Sequence, residues 1–184
     1  SEGLAKESIR LYASSSDLDA DGDGFDDVYA TPSLGSLEAS VTQWARGAQR
    51  VLVYLLDHGQ RDRFRINSTQ YLESATYAAW LETLRVAGPG PQVTTIIDTC
   101  EAGSFIDNLA VAKDAQKSGA ERITITSSGI GAIGGIALFD KRRYLSFSLS
   151  FWDEVFNGAT YGQAFESAKV SINSINPLQM PQID

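Results

Sequence analysis

The chain has one cysteine, one histidine and one methionine in 184 residues, and the first two scarcities exclude particular chemistries. A single cysteine, Cys100, rules out an internal disulfide, so cysteine usage does not separate cytosol from exterior. One histidine and one cysteine also fall short of the three or four ligands of a usual zinc site unless carboxylates make up the number. Positive charge is thin as well. Fifteen Lys and Arg against 23 Asp and Glu leave a formal net charge of −8 and a pI near 4.6, the reverse of the basic footprint that nucleic-acid backbones require. No run approaches the roughly 20 apolar residues of a membrane-spanning helix, and no charged-then-apolar leader opens the chain. Its start at Ser1 and abrupt end at Asp184 read as a piece of a longer precursor. Repeats and low-complexity linkers are also lacking. What remains is 43% hydrophobic and 21% charged, enough for one well-packed domain over residues 1–184 and not for a second.

The apolar pattern alternates in type. Short runs rich in β-branched and aromatic residues predict strands over 9–13, 50–56, 93–98 and 122–126, with 63–66 extended. Helical spacing predicts helices over 36–47, capped by Ser36 and presenting Leu37, Val41, Trp44 and Ala45, and over 74–86, presenting Tyr77, Trp80, Leu81 and Leu84. Gly88-Pro89-Gly90-Pro91 ends the second. Further helices are predicted near 106–117, over 145–156 with Phe147, Phe151, Trp152 and Val155 on the apolar side, and over 161–175. A Gly-rich loop covers 129–135. Strands separated by helices imply an α/β fold, a mainly parallel sheet with helices on both faces.

His58 and Cys100 each stand just past an apolar run, Val51-Leu52-Val53-Tyr54-Leu55-Leu56 and Val93-Thr94-Thr95-Ile96-Ile97. Polar residues beyond strand ends are where α/β folds build active sites, so the two side chains are expected on one rim. Thiolate attacks a carbonyl, and a neighbouring histidine promotes the deprotonated form and then protonates the leaving amine. Gly59 allows close approach of substrate, and its N–H and that of Cys100 are candidate donors to the oxyanion, each contributing on the order of 3 kcal/mol. A helix opening at Gly103-Ser104 would favour thiolate further. The plain alternative is a buried, inert thiol and a structural histidine, since free cysteine is among the most buried residue types. Joint context weighs against it: His-Gly closes one strand, Asp98-Thr99-Cys100-Glu101-Ala102-Gly103-Ser104 closes the next, and a helix lies between.

On these residues the chain resembles the legumain-like, caspase-fold (clan CD) cysteine peptidases, a group that includes caspases, metacaspases, gingipains and clostripain, and it looks most like a secreted bacterial legumain. The resemblance rests on Tyr54-Leu55-Leu56-Asp57-His58-Gly59 and Ile96-Ile97-Asp98-Thr99-Cys100-Glu101-Ala102-Gly103-Ser104. It implies a three-layer caspase-like fold, a His58–Cys100 dyad, Gly59 as an oxyanion glycine and Asp98 as an acidic residue lining the primary pocket. The separation of 100 − 58 = 42 residues is near the roughly 50 found in caspases. Residues 123–128, ending in Ser127 and Ser128, resemble the strand and loop that meet substrate backbone, and the stretch around Ser146-Phe147-Ser148 and Phe151-Trp152 resembles the helix that follows. Relatives carry a strand and helix ahead of the segment that begins here, including an arginine that legumains use to recognise Asn. That first unit is read as missing, and the uncovered sheet edge it leaves would invite pairing. Asp98 and Glu101 form an acidic wall that suits Arg or Lys as well as Asn, so the residue preferred before the cut stays open.

A second motif is independent. Asp17-Leu18-Asp19-Ala20-Asp21-Gly22-Asp23-Gly24-Phe25-Asp26-Asp27 sets carboxylates at alternate positions with glycines for the turn, as calcium loops do. In the best frame Asp19, Asp21 and Asp23 take positions one, three and five, Phe25 offers its carbonyl and Asp27 sits at nine, while Ala30 replaces the bidentate Glu at twelve. The run looks more like thrombospondin type 3 or dockerin loops than an EF-hand. Its alternative is a solvated acidic loop. The expectation is thus a calcium-stabilised cysteine endopeptidase acting on protein or peptide substrates, with the calcium loop an insertion at 17–30, no organic cofactor, no nucleic-acid partner and no membrane span. Weak sites of this type suit millimolar calcium, hence an extracellular or cell-envelope location. The rival expectation is a catalytically inactive caspase-fold module that binds calcium and serves interaction or adhesion.

Overall fold

The computed structural model describes residues 5–85, 90–110, 121–131, 133–140 and 145–184. Along the chain come β1 (Leu11–Tyr12), β2 (Val28–Ala30), α1 (Leu34–Ala39) with a π-helical continuation over Ser40–Trp44, β3 (Arg50–Leu56), β4 (Gly59–Gln60), β5 (Arg63–Arg65), β6 (Tyr71–Glu73) and α2 (Ser74–Thr83). Next follow β7 (Gln92–Asp98), a 3-10 turn over Ala102–Phe105 running into α3 (Ile106–Leu109), β8 (Arg122–Thr126), β9 (Phe139–Asp140), β10 (Leu145–Ser146), α4 (Phe147–Phe156), α5 (Tyr161–Asn173) and β11 (Gln182–Ile183).

The central sheet has the order β11-β8-β7-β3, with β3, β7 and β8 parallel and β11 antiparallel. The parallel strands coincide with the predicted runs; β7, in the middle and covered on both sides, needs no polar alternation. On one side, Leu55, Val93 and Ile97 join Val41, Tyr77, Leu81, Phe105 and Leu109 from the helical segments. On the other, Ile96 and Ile125 lie under Phe147 and Phe151 of α4 and Ala164, Phe165 and Ala168 of α5. Helices therefore cover both faces, the three-layer α/β arrangement expected. Coverage ends short of β3, where Leu52, Tyr54 and Leu56 are 45%, 37% and 50% exposed. Among the described residues nothing pairs with the outer edge of β3.

Several local expectations change. Helix α1 starts at a capping box between Ser33 and Ser36, so Ser33, not Ser36, is the cap; Ser36 is its N3 partner. Residues 9–13 supply only the two-residue β1, which pairs with β2 outside the main sheet. The single extended segment at 63–66 is the middle of a three-stranded unit, β4-β5-β6. Helix α2 stops at Thr83, α4 begins at Phe147 behind its cap Ser146, and α5 stops at Asn173. The stop at Gly88-Pro89 and the helix expected through 117 fall largely outside the described residues.

Candidate active site

Strand register brings His58 and Cys100 to the same end of the sheet. Every residue of β3 has a partner in β7, from Arg50 with Gln92 to Leu56 with Asp98. His58 and Cys100 each follow two residues after that last pair, past the same end of neighbouring strands. Contact between the two turns is tight at Gly59. A Cβ placed there would overlap Thr99 Oγ1 and lie 2.7 Å from the Cys100 carbonyl oxygen, so only glycine lets the histidine turn seat on the cysteine turn. Cys100 is half-buried. Among the described residues nothing accepts its amide N–H, which leaves that donor available.

Both turns are held from outside the pair. The His58 N–H donates to Asp57 Oδ1 at 2.5 Å, and the same oxygen accepts Arg65 Nε at 3.0 Å and Nη2 at 2.6 Å. The Arg65 N–H donates to the His58 carbonyl at 3.0 Å. At the tip between β4 and β5, Asp62 adopts φ 61°, and its N–H donates to Ser104 Oγ at 2.8 Å, which itself donates to the Glu101 carbonyl at 2.6 Å. The histidine-bearing hairpin is thereby tied to the cysteine turn. Sequence reading passed over Asp57, Asp62, Arg65 and Ser104. Asp57 is adjacent to the histidine and detectable in principle, whereas nothing in Arg61-Asp62-Arg63-Phe64-Arg65 distinguishes the third arginine.

Glu101 and Ser128, expected to meet substrate, are engaged within the fold. Glu101 sits in the left-handed region at φ 59°, its N–H donates to the Gly135 carbonyl at 2.6 Å, and its carboxylate accepts the Gly131 N–H at 2.8 and 3.0 Å. Ser128 Oγ donates to the Thr99 carbonyl at 2.8 Å and accepts the Ala102 N–H at 3.1 Å. They bind the Gly-rich loop and the end of β8 to the cysteine turn. The helix expected at Gly103-Ser104 is a four-residue 3-10 turn followed by the four-residue α3, too short to build much of a dipole.

The sequence pattern of the Peptidase C13 family, the legumain family of cysteine peptidases, matches residues 42–176. The chain belongs to this family. Comparison with curated proteins gives no individual match. In this C13 chain the matched stretch holds both turns, β3, β7, β8 and the helices α4 and α5, while the acidic loop lies ahead of it.

Two residues before Cys100 the C13 chain buries a polar group without full satisfaction. Asp98 is completely buried; its Oδ2 accepts the Ser148 N–H at 3.2 Å, and its Oδ1 has no partner. Burial pushes the Asp98 carboxyl up from the ordinary range, and the Ser127 and Ser148 hydroxyls, near enough to favour the charge, offset this only in part. Neither hydroxyl makes a well-formed bond, and Thr99 Oγ1 is likewise unpaired. A raised folded-state value means the folded protein holds this proton more tightly. Its stabilising contribution is complete below the unfolded carboxyl value of about 4 and is lost as pH rises through the raised one. Asp98→Asn is therefore expected to raise the melting midpoint at pH 7, by about 1–3 kcal/mol of stability, and to change it little at pH 3. Equal effects at both pH values would contradict a carboxyl whose folded-state value is raised by burial.

The acidic loop folds on itself. Asp19 accepts the N–H groups of Gly22, Asp23 and Gly24 at 2.7, 3.1 and 2.8 Å, and Asp27 accepts those of Ala20 and Asp21 at 2.7 and 3.2 Å. Carboxylate oxygens of Asp19, Asp21 and Asp27 lie within 4.8 Å of one another. The Lys6 ammonium stands among the carboxylates, 2.6 Å from Asp27, 3.0 Å from Asp23 and 3.3 Å from Asp21. Its bond holds the Asp23 and Asp27 carboxyls below their ordinary range, and Asp27 and Asp23 in turn push the lysine up. Phe25 projects into solvent, 74% exposed.

Proposed function

We propose that the C13 chain is a cysteine endopeptidase in which Cys100 attacks the scissile carbonyl and His58 moves the protons. His58 takes the thiol proton, the thiolate adds to the carbonyl carbon, and the N–H groups of Gly59 and Cys100 hold the oxyanion. Collapse of the tetrahedral species breaks the C–N bond as His58 protonates the leaving amine. Water, deprotonated by the same imidazole, then hydrolyses the thioester and restores the thiol. The observation that supports this reading is the register of β3 on β7, which brings both turns to one end of the sheet, together with the close seat of Gly59 on Cys100. The Asp98 carboxyl, buried close to the cysteine turn beside Ser127, disfavours an acidic side chain before the cut relative to Asn, Arg or Lys without touching it. The test is labelling with acyloxymethyl ketone peptides carrying Asn, Arg or Asp at the first position. One adduct at Cys100, absent in His58→Ala and weakest with Asp, is expected. A thiol no faster than free cysteine toward iodoacetamide, with no peptide cleaved, would leave the inactive interaction module in its place.

We assign the acidic loop to a structural calcium ion. Hard carboxylate oxygens suit it, and a cation already stands among them in the form of the Lys6 ammonium. Asp19, Asp21, Asp23 and Asp27 with the Phe25 carbonyl would supply the ligands, and an ion taken up at millimolar levels suits an exported protein. At calcium tenfold above Kd, binding adds about 1.4 kcal/mol, so the melting midpoint should rise by about 4 °C over its value in EGTA. Asp27→Asn should abolish that rise, and Lys6→Ala should shift the titration to lower calcium by removing the competing ammonium. An unchanged wild-type midpoint across the titration would remove the ion from the reading.

A further inference from the structure

Resting on the proposed dyad, we infer that Arg65 is a positioning residue, which fixes the aim of His58 by clamping the Asp57 carboxylate. The clamp is built from both sides of one residue. The His58 N–H is held by Asp57 Oδ1 and the His58 carbonyl by the Arg65 N–H, so Asp57 and Arg65 grip both of its flanking peptide groups. Asp57 Oδ1 in turn receives two N–H groups of the guanidinium, at 3.0 and 2.6 Å. Cross-strand register explains why Arg65 is the residue that reaches. Gln60 pairs with Arg63 and Gly59 with Phe64, so the next position along the hairpin sets Arg65 against His58.

The grip falls where freedom would matter most. His58 lies outside any strand, between the end of β3 and the start of β4, and no ladder fixes its φ and ψ. Without the guanidinium, Asp57 Oδ1 loses two of its three donors, and the carboxylate can turn away from the His58 amide and toward the imidazole. A forked donor is required for this. Arginine presents Nε and Nη2 in one plane, while a lysine ammonium offers a point charge without that orientation. The side chains of Arg65 and Asp57 are 38% and 34% exposed, and partly exposed ion pairs contribute little to stability. Turnover and stability are thus expected to separate, which distinguishes aim from mere structural support.

The experiment compares Arg65→Gln, Arg65→Lys, Asp57→Ala and the Arg65→Gln/Asp57→Ala double variant with wild type, in peptide cleavage, thermal melting and NMR of the single imidazole. Arg65→Gln should lower kcat on the order of tenfold to a hundredfold while KM stays within twofold and the melting midpoint within about 2 °C. Arg65→Lys should recover only part of that loss, and the double variant should be no worse than the more impaired single variant, because both remove one clamp. The imidazole C–H resonances, unambiguous with one histidine in the chain, should move or broaden in Arg65→Gln. A kcat within twofold of wild type, a loss confined to KM, or additive losses in the double variant would overturn the inference. If Arg65→Gln fails to fold, the same comparison is read from Arg65→Lys. If wild type itself cleaves nothing, the peptidase reading fails separately, and the resonances decide: unchanged in the variants, there is no clamp.

Discussion

Cys100→Ser should reduce peptide cleavage at least about 10³-fold, with the melting midpoint unchanged, and His58→Ala should do the same through a different step. At neutral pH a free cysteine is already a few per cent thiolate, whereas a serine hydroxyl depends wholly on a base to become nucleophilic. Serine at this position keeps the shape and the amide of the turn, so the loss isolates the sulfur. Removing His58 leaves the thiol but takes away both the acceptor of its proton and the donor to the leaving amine. The two residues act as a unit, so Cys100→Ser/His58→Ala should be no slower than the worse single variant. Stopped-flow cleavage of a fluorogenic peptide measures all three. A Cys100→Ser variant retaining tens of per cent of wild-type kcat would mean that another group attacks the carbonyl, and that the cysteine is packing.

How much of this site was legible in the sequence depended on how local each signal was. The strands β3, β7 and β8 were readable as short runs rich in β-branched and apolar residues, and the ends of β3 and β7 carried the histidine and cysteine into view. The start of α1 was misplaced by three residues because Ser33 and Ser36 each form half of one reciprocal cap, and either could serve as the N-cap. Strand β11, only Gln182–Ile183, carries no periodicity at all; its pairing with β8 at Thr126 and Ile125 creates it. The hairpin strands β4 to β6 are two or three residues long, below the span over which alternation can be read.

Side-chain roles were less legible than side-chain positions. Glu101 and Ser128, expected to bind substrate, lie at the cysteine turn because both follow strand ends, and their hydrogen-bond partners come from the tertiary fold. Glu101 finds the Gly131 amide thirty residues away, and Ser128 finds the Thr99 carbonyl on the neighbouring strand end. The left-handed backbone at Glu101 turns its carboxylate into the glycine loop, a conformation no pattern of residue types announces for glutamate. Asp98 differs: its burial follows from its place at the end of β7 between Ile97 and Thr99, both fully buried.

Gly59→Ala is expected to lower kcat on the order of 10²-fold and stability by about 1–3 kcal/mol, although it adds a single methyl group. Backbone strain is not the cause, since Gly59 is absent from the positive-φ glycines, so the effect is purely steric. The new Cβ meets Thr99 Oγ1 and, at 2.7 Å, both Thr99 Cγ2 and the Cys100 carbonyl oxygen. Thr99 is fully buried and β-branched, with little rotamer freedom to yield, and the other obstacle is backbone. Relief to the 3.4 Å of ordinary contact requires the histidine turn to lift by at least about 0.7 Å from the cysteine turn, and further to clear Thr99 Oγ1. A displacement of that size shifts His58 relative to Cys100 and tilts the Gly59 N–H, proposed as an oxyanion donor, away from the developing charge; loss of such a donor alone costs 10²–10³ in kcat. Gly35→Ala supplies the comparison, because its Cβ meets nothing within 4 Å and it lies in α1, where alanine is the better helix former. Cleavage kinetics and melting of the two variants side by side measure the difference. A Gly59→Ala enzyme within threefold of wild type would show that the two turns need not touch, and the seat of Gly59 on Cys100 would lose its catalytic meaning.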